Sequence, residues 1–450
     1  MNDATLPAGA PLAPSASSTA PATAPTTATA APSRPAARQS QFRLIAACSI
    51  GNALEMFDFT VYSFFSLLIG KLFFPSDSPY GSLLLAVATF GIGFIMRPLG
   101  GVVIGNYADR RGRKAAMSLT IGLMVIGTLC IALAPTYAVA GVYGSLTILA
   151  GRLLQGFSLG GEIGASTAML MEGGDVKGRG WRVSWQIGSQ GISALAGAAT
   201  GATLYAVLST EALESWGWRV PFLLGLLIAP VGLYIRAKLD ETHEADAHAP
   251  SPVGELFRRH AGKVALGILS TTAGTATMYL VVFFMPTYMI RVLHMPTSLS
   301  YLSGCVTGVT LLVVSLVAGK LADRLTYRKP LVAGSLLFSL VAVYPAFWLM
   351  NTYPSVPLVL GLSALLTASI NLGTTPMFLM LLEMLPAGVR ATGLAVIYSV
   401  GVTVFGGSSQ FIVTWLLAKT GNPMSPAFYM MACGLLALVA VLRIAEKREH

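Results

Sequence analysis

Five ionisable side chains stand inside long apolar runs of this sequence: Glu55, Asp58, Arg97, Arg152 and Glu162. A charged side chain in the middle of a hydrocarbon layer costs about 2.5–3.5 kcal/mol on insertion scales, so such a residue ordinarily faces a cavity and serves a purpose there. Glu55 and Asp58 are three positions apart, which puts both carboxyls on one face of a helix. Carboxyls so placed take up and release protons; either of the two fits that part, and neighbours this close titrate as a unit. Arg97 and Arg152 carry the planar fork that binds a carboxylate through two hydrogen bonds. A purely structural ion pair of Arg152 with Glu55 or Glu162 uses the same residue types, and Glu162 reads equally as a packing or gate residue. Counting ~1.5 Å per residue sets Glu55 and Arg152 at a common depth of about 16 Å, with Arg97 nearer one end. Fully ionised, the five groups sum to −1. A polycarboxylate is repelled by that field unless a carboxyl first takes a proton, so proton and anion binding favour one another.

Neutral polar residues stand beside them. Gln186 and Gln190, four apart, share a helix face and suit either substrate contact or bonding between helices. Further along, the apolar runs carry almost no charge but offer Thr271, Thr272, Thr275, Tyr279, Asn371, Thr374, Thr375, Tyr398 and Gln410. This division predicts charge recognition and proton binding in the first half and neutral hydrogen bonding in the second, with Tyr279 and Asn371 as the second half's substrate contacts.

The elements that must position these groups are membrane spans. Hydrophobic residues form 54% of the 450 and charged ones only 11%, against about 25% charged in soluble domains. The apolar residues come in blocks of about 20, the helical length that crosses a bilayer. Twelve blocks are predicted, at 44–72, 83–107, 115–134, 142–171, 185–208, 218–237, 264–290, 299–320, 331–350, 356–382, 391–418 and 426–444. The longest interior polar stretch, 238–262, divides them six and six. The expected organisation is a disordered tail (1–41), a six-helix bundle (42–237), a linker (238–262), a second bundle (263–445) and a short C-terminus (446–450). The tail is rich in Ala, Pro, Ser and Thr and lacks the apolar core of a secretory signal.

The net charge of +10 is topological rather than a nucleic-acid footprint. Of 29 Lys and Arg, 23 fall on one side of the predicted spans, four on the other, and Arg97 and Arg152 inside. Positive loops stay in the cytoplasm, so both termini are expected there. Four cysteines within spans lack metal-ligand spacing and read as small apolar fillers. No phosphate loop and no metal-spaced His/Cys set is present, which argues against an enzyme.

Two features recur at nearly one offset. Gly105-Asn106-Tyr107-Ala108-Asp109-Arg110-Arg111-Gly112-Arg113-Lys114 has a weaker copy at Gly319-Lys320-Leu321-Ala322-Asp323-Arg324, ending in Arg328-Lys329, 214 positions on. Glu172 closes the fourth block and Glu383 the tenth, 211 apart, with Arg390 following the second. Repeated six-span units with a site between them are a carrier architecture. In the repeated loop, glycine admits a neighbouring helix, and an aspartate at the carboxyl end of its own helix needs a cation or a facing helix N-terminus. Gly105, Asp109, Arg110, Gly112, Arg113, Glu162, Glu172, Asp323, Arg324, Glu383 and Arg390 are therefore the expected gate residues.

The doubled Gly-x-x-x-Asp-Arg loop resembles that of the major facilitator superfamily. Gly51-Asn52-Ala53-Leu54-Glu55-Met56-Phe57-Asp58-Phe59, Arg97-Pro98-Leu99-Gly100-Gly101, Gln155-Gly156-Phe157-Ser158-Leu159-Gly160-Gly161-Glu162 and Trp216-Gly217-Trp218-Arg219-Val220-Pro221-Phe222 narrow it to the metabolite:proton symporters. Trp185-Gln186, Ser189-Gln190, Pro286-Thr287-Tyr288 and Phe405-Gly406-Gly407 make the chain similar to citrate and tricarballylate symporters. The second basic loop departs from the family at Leu325-Thr326-Tyr327, where a Gly-Arg pair is usual. The resemblance implies an all-α membrane protein of twelve transmembrane helices in two pseudo-symmetric six-helix bundles. It implies proton-coupled import of a small organic acid, citrate or another di- or tricarboxylate, across a bacterial inner membrane. Betaine or proline, 2-oxoglutarate and shikimate are the alternatives within the family, and a carrier-fold sensor lies outside it. The expected partners are the acid, protons and lipid; no cofactor is expected beyond the proton gradient, and the expected working unit is a monomer.

Overall fold

Among the described residues the long apolar blocks form helices, because a backbone removed from water must satisfy its hydrogen bonds internally. The computed structural model describes residues 41–78, 80–111, 113–160, 162–227, 229–230, 252–386 and 389–446. Within these, the side chains of residues 43, 47, 105–106, 108–111, 113–117, 162, 165, 252–253, 255 and 391 lie outside the description. The first span runs Gln41–Phe64 and continues as Ser66–Phe73; the second is Gly81–Arg111 and the third Arg113–Ala132. The fourth is described as Val142–Leu159 and Glu162–Glu172, the fifth is Arg179–Val207, and the sixth opens at Val220–Gly225. The rest of the expected sixth span and most of the expected linker lie outside the described residues. A short helix, Pro252–Arg259, precedes the seventh span (Ala261–Thr277, continuing to Arg291). The eighth to twelfth are Thr297–Arg324, Lys329–Thr352, Val356–Met384, Arg390–Thr420 and Ser425–Arg443. These are the twelve helices of two six-helix bundles.

Eight of the helices among the described residues are long and apolar enough to cross a bilayer by length and composition alone. The others fall short for local reasons. The described pieces of the fourth span, Val142–Leu159 and Glu162–Glu172, are short, and the fifth is crowded with Gly, Ser and Gln that it buries against its neighbours. A helix shielded by protein rather than lipid can carry such polarity.

Two spans are deformed near their centres. Met278–Phe283 in the seventh and Val402–Gly407 in the eleventh are π-helical, a geometry that inserts a residue and recurs at functional sites. A Cβ on Gly407 would lie 2.5 Å from the Phe94 ring, and one on Gly406 would lie 2.7 Å from the Tyr279 ring. Both rings therefore rest directly on the eleventh-span backbone.

The bundles are stitched together at both ends. At the end bearing the basic loops, Asp323 Oδ1 and Oδ2 accept hydrogen bonds from the Gly180 and Trp181 amides, at 2.7 and 2.9 Å. Lys320 Nζ lies 4.7 Å from the centre of the Trp181 ring. At the opposite end Tyr301 donates to the Phe64 carbonyl at 2.9 Å, and Ser63 and Ser66 reach Phe283 and Thr287. Between these closures Thr403 donates to the Phe94 carbonyl at 2.7 Å.

Candidate functional site

The polar centre is built on three rings from the first two spans. Phe59, Phe90 and Phe94 pack edge to face, with centroids 5.1–6.2 Å apart. Arg97 and Arg152 both lie over the Phe59 ring, their guanidinium carbons 5.1 and 4.4 Å from its centre. Arg97 also sits 4.1 Å from the Phe94 ring, and Arg152 sits 4.1 Å from Tyr62. Residues from the second and fourth spans thus meet on one aromatic platform. Their backbones come that close because a Cβ on Gly160 would lie only 1.9 Å from the Arg97 carbonyl oxygen. Arg97 and Arg152 thus share the Phe59 ring.

Both arginines are buried, 1% and 0% exposed. Nε, Nη1 and Nη2 of Arg97, and Nε and Nη2 of Arg152, have no protein hydrogen-bond partner. Cation–π contact returns about 0.5–2 kcal/mol, whereas taking an ion out of water costs several kcal/mol. The platform alone does not offset that cost. The Tyr279 and Tyr398 hydroxyls are electrostatic neighbours of Arg97; Tyr279 Oη is itself unpartnered, and Gln190 lies beside Tyr398.

The carboxylate beside Arg152 is Asp58. Its Oδ2 accepts from the Thr128 hydroxyl and, at 3.0 Å, from Gln155 Nε2. Gln155 Nε2 also reaches Thr128 Oγ1 at 3.0 Å, and its Oε1 accepts from Arg152 Nη1 at 2.7 Å. Asp58 Oδ1 is unpartnered and faces the sixth span, where a Cβ on Gly225 would lie 1.9 Å away. Glu55 is buried one turn toward the basic end, with a contact of its own.

The remaining expected ligands divide. Gln186 Oε1 accepts from Ser166 at 3.3 Å while its Nε2 is unpartnered, as is Gln190 Nε2. The Asn371 amide donates one bond to the Thr367 carbonyl one turn back, at 2.8 Å, and an amide has a second donor and an acceptor oxygen besides. Among the described residues no three His, Cys, Asp or Glu side chains gather where they could hold a metal ion.

Residues 48–402 match the sequence profile of the Major Facilitator Superfamily. The chain belongs to that superfamily of membrane transporters. It is 36% identical over 400 residues to the citrate-proton symporter of Klebsiella pneumoniae, covering 87% of this chain and 90% of that one. It is 32% identical to the citrate-proton symporter of Salmonella typhi (90% and 94% covered). It is also 32% identical to the proline/betaine transporter of Escherichia coli K12 (90% and 83% covered). Among solved structures, a D-xylose-proton symporter superposes with a TM-score of 0.72 at 18% identity, over 90% of this chain and 97% of that one. That likeness shows the fold alone.

The superfamily's repeated loops lie at the basic end. Asp323 meets the N-terminus of the fifth span despite the departure at Leu325-Thr326-Tyr327, since the carboxylate needs only the facing amides. Glu383 pairs with Arg328, 2.6 Å away and buried; Arg324 is exposed. Arg390 approaches Glu172 at 3.9 Å and donates to the Leu382 carbonyl at 2.7 Å. The side chains of Gly105, Asp109, Arg110, Arg113 and Glu162, and all of Gly112, lie outside the described residues. Sequence reasoning passed over Gln155, Thr128 and Arg328. Gln155 and Thr128 are uncharged and give no alarm in an apolar run; Arg328 lies in the repeated loop and was the more visible.

Proposed function

We propose that this transporter is a proton-coupled symporter importing a small organic acid, citrate or another di- or tricarboxylate, across a bacterial inner membrane by alternating access. The supporting observation is the set of five unpartnered guanidinium nitrogens on the buried Arg97 and Arg152, with Asp58 beside Arg152. Two forks with open donors suit an anion with two or more carboxylates, each taken through paired charge-assisted bonds. Tyr279, from the second half, and Gln186 and Gln190, from the first, add neutral donors. Asp58 is the proton site: a carboxylate beside Arg152 screens that arginine, and a proton on it restores the arginine's pull on the substrate. No cofactor takes part and no covalent chemistry is done; the proton gradient drives accumulation. Both termini lie in the cytoplasm and a monomer suffices.

Contacts at both ends leave the arginines enclosed, an arrangement that alternating access must pass through. The citrate-proton relatives support the acid. The proline/betaine relative favours a zwitterion instead, which needs only one of the two guanidiniums. Purified protein in proteoliposomes with an imposed inward proton gradient decides between them. Labelled citrate, 2-oxoglutarate, shikimate and betaine are offered in parallel. Citrate or another polycarboxylate should accumulate and a protonophore should abolish it; accumulation of betaine alone, or uptake indifferent to the protonophore, overturns the assignment.

A further inference from the structure

Among the described residues, the Gln155 amide is hydrogen-bonded to both the proposed proton site and an anion-binding arginine. An arginine only donates, so the Gln155 oxygen must face Arg152 and its NH2 must face Asp58 and Thr128. The amide is therefore polarised along one line, from Arg152 Nη1 through Oε1 and Nε2 to Asp58 Oδ2, with bonds of 2.7 and 3.0 Å. The backbone is shaped for it: a Cβ on Gly127 would lie 2.8 Å from Gln155 Cγ. Met124, Ile131, Phe59 and Phe222 are all fully buried in the same bundle core.

We propose that Gln155 is a positioning residue that ties the charge on Asp58 to the availability of Arg152. This rests on the proton-coupled reading above. While Asp58 is anionic it draws the Gln155 NH2, strengthens the acceptor at the other end of the amide and holds Arg152 Nη1 to it; bonds in series reinforce one another in this way. A proton entering on the unpartnered Oδ1 removes the anion, loosens Oδ2 as an acceptor and weakens the amide's grip, so Arg152 turns its fork to a substrate carboxylate. By linkage, the substrate on Arg152 favours the protonated Asp58. The other groups about Asp58 leave room for this control. Arg152 faces it from the fourth span and Arg97, from the second, reaches it through Arg152. The third and sixth spans present Thr128 and Gly225, neither titratable, while Glu55 and Tyr62 share its own helix.

Gln155→Leu separates this relay from direct attraction between Asp58 and Arg152, since it leaves both charges in place. The apparent affinity of the reconstituted full chain for labelled citrate is measured between about pH 6 and pH 8 with no gradient. Wild-type affinity should weaken by about tenfold or more as pH rises, a coupling within the usual 5–150-fold range. Gln155→Leu should flatten that change to less than about threefold on the same scale. Gln155→Glu guards against a misfolded variant. Its protonated carboxyl restores one donor and one acceptor, so coupling should return at the acid end only. A Gln155→Leu slope equal to wild type, or a Gln155→Glu slope unaltered across the range, overturns the relay while leaving the symporter assignment intact. A wild-type protein with no pH-linked affinity for citrate or the other carboxylates overturns both.

Discussion

Replacing Arg97 with glutamine should make the empty protein more stable and the loaded one much weaker. The side chain is 1% exposed, and all three guanidinium nitrogens lack protein partners. Burying an ion costs several kcal/mol, while its two ring contacts, at 4.1 and 5.1 Å, return about 0.5–2 kcal/mol each at most. A neutral amide of similar length escapes the ionic part of that cost, so a gain of about 1–3 kcal/mol is expected without ligand. The same change removes two charge-assisted bonds to a carboxylate at about 1.5–3 kcal/mol each. Taking the lower value for both gives about 3 kcal/mol, roughly a 150-fold loss of apparent affinity. Thermal unfolding in detergent, with and without citrate, reads both quantities on one sample. Arg97→Gln should melt higher than wild type when empty and lose the citrate-induced rise. A variant that melts well below wild type and keeps its citrate response would make Arg97 a structural cation and refute the reasoning.

Asp58→Asn removes the proposed proton acceptor but keeps a group able to accept from Thr128; it should abolish gradient-driven accumulation while citrate still exchanges across a membrane without a gradient. Retained accumulation would move the proton to another group, Glu55 first. Asp323→Ala removes two bonds to the fifth-span amides, worth about 2–4 kcal/mol together, and should favour opening at the basic end by roughly 30-fold or more. Spin labels at the exposed Val176 and Tyr327 should then report a longer distance population; an unchanged distribution would contradict the latch.

Much of the architecture was legible because lipid imposes a simple rule on length and polarity, and the basic loops repeat that rule as charge. The lettering fails where rotation, not depth, decides a contact. Counting residues set Glu55 level with Arg152, yet the structure sets Asp58 beside it. Two positions three apart differ by about 60° around a helix, and the packing of the first span, chiefly against the fifth, chooses between them. The π-helical turns of the seventh and eleventh spans shift the register there, and nothing in the sequence pattern signals them. The fourth span holds a clearer missed signal: Gly156 and Gly160, four apart, form a small-residue seam, and it brings the Arg97 backbone against it. Gln155 lay in the open within a quoted motif. Its function depends on both ends of one amide, and only the structure shows what the two ends touch.

The account stands on the claim that Asp58 takes a proton when a carboxylate occupies the arginines. Adding citrate to the purified protein in weak buffer near neutral pH, and following the pH of the solution, measures that claim directly. Wild type should take up about one more proton per site than Asp58→Asn, with saturation at the same citrate concentration as binding. Equal uptake by the two proteins at saturating citrate would contradict it.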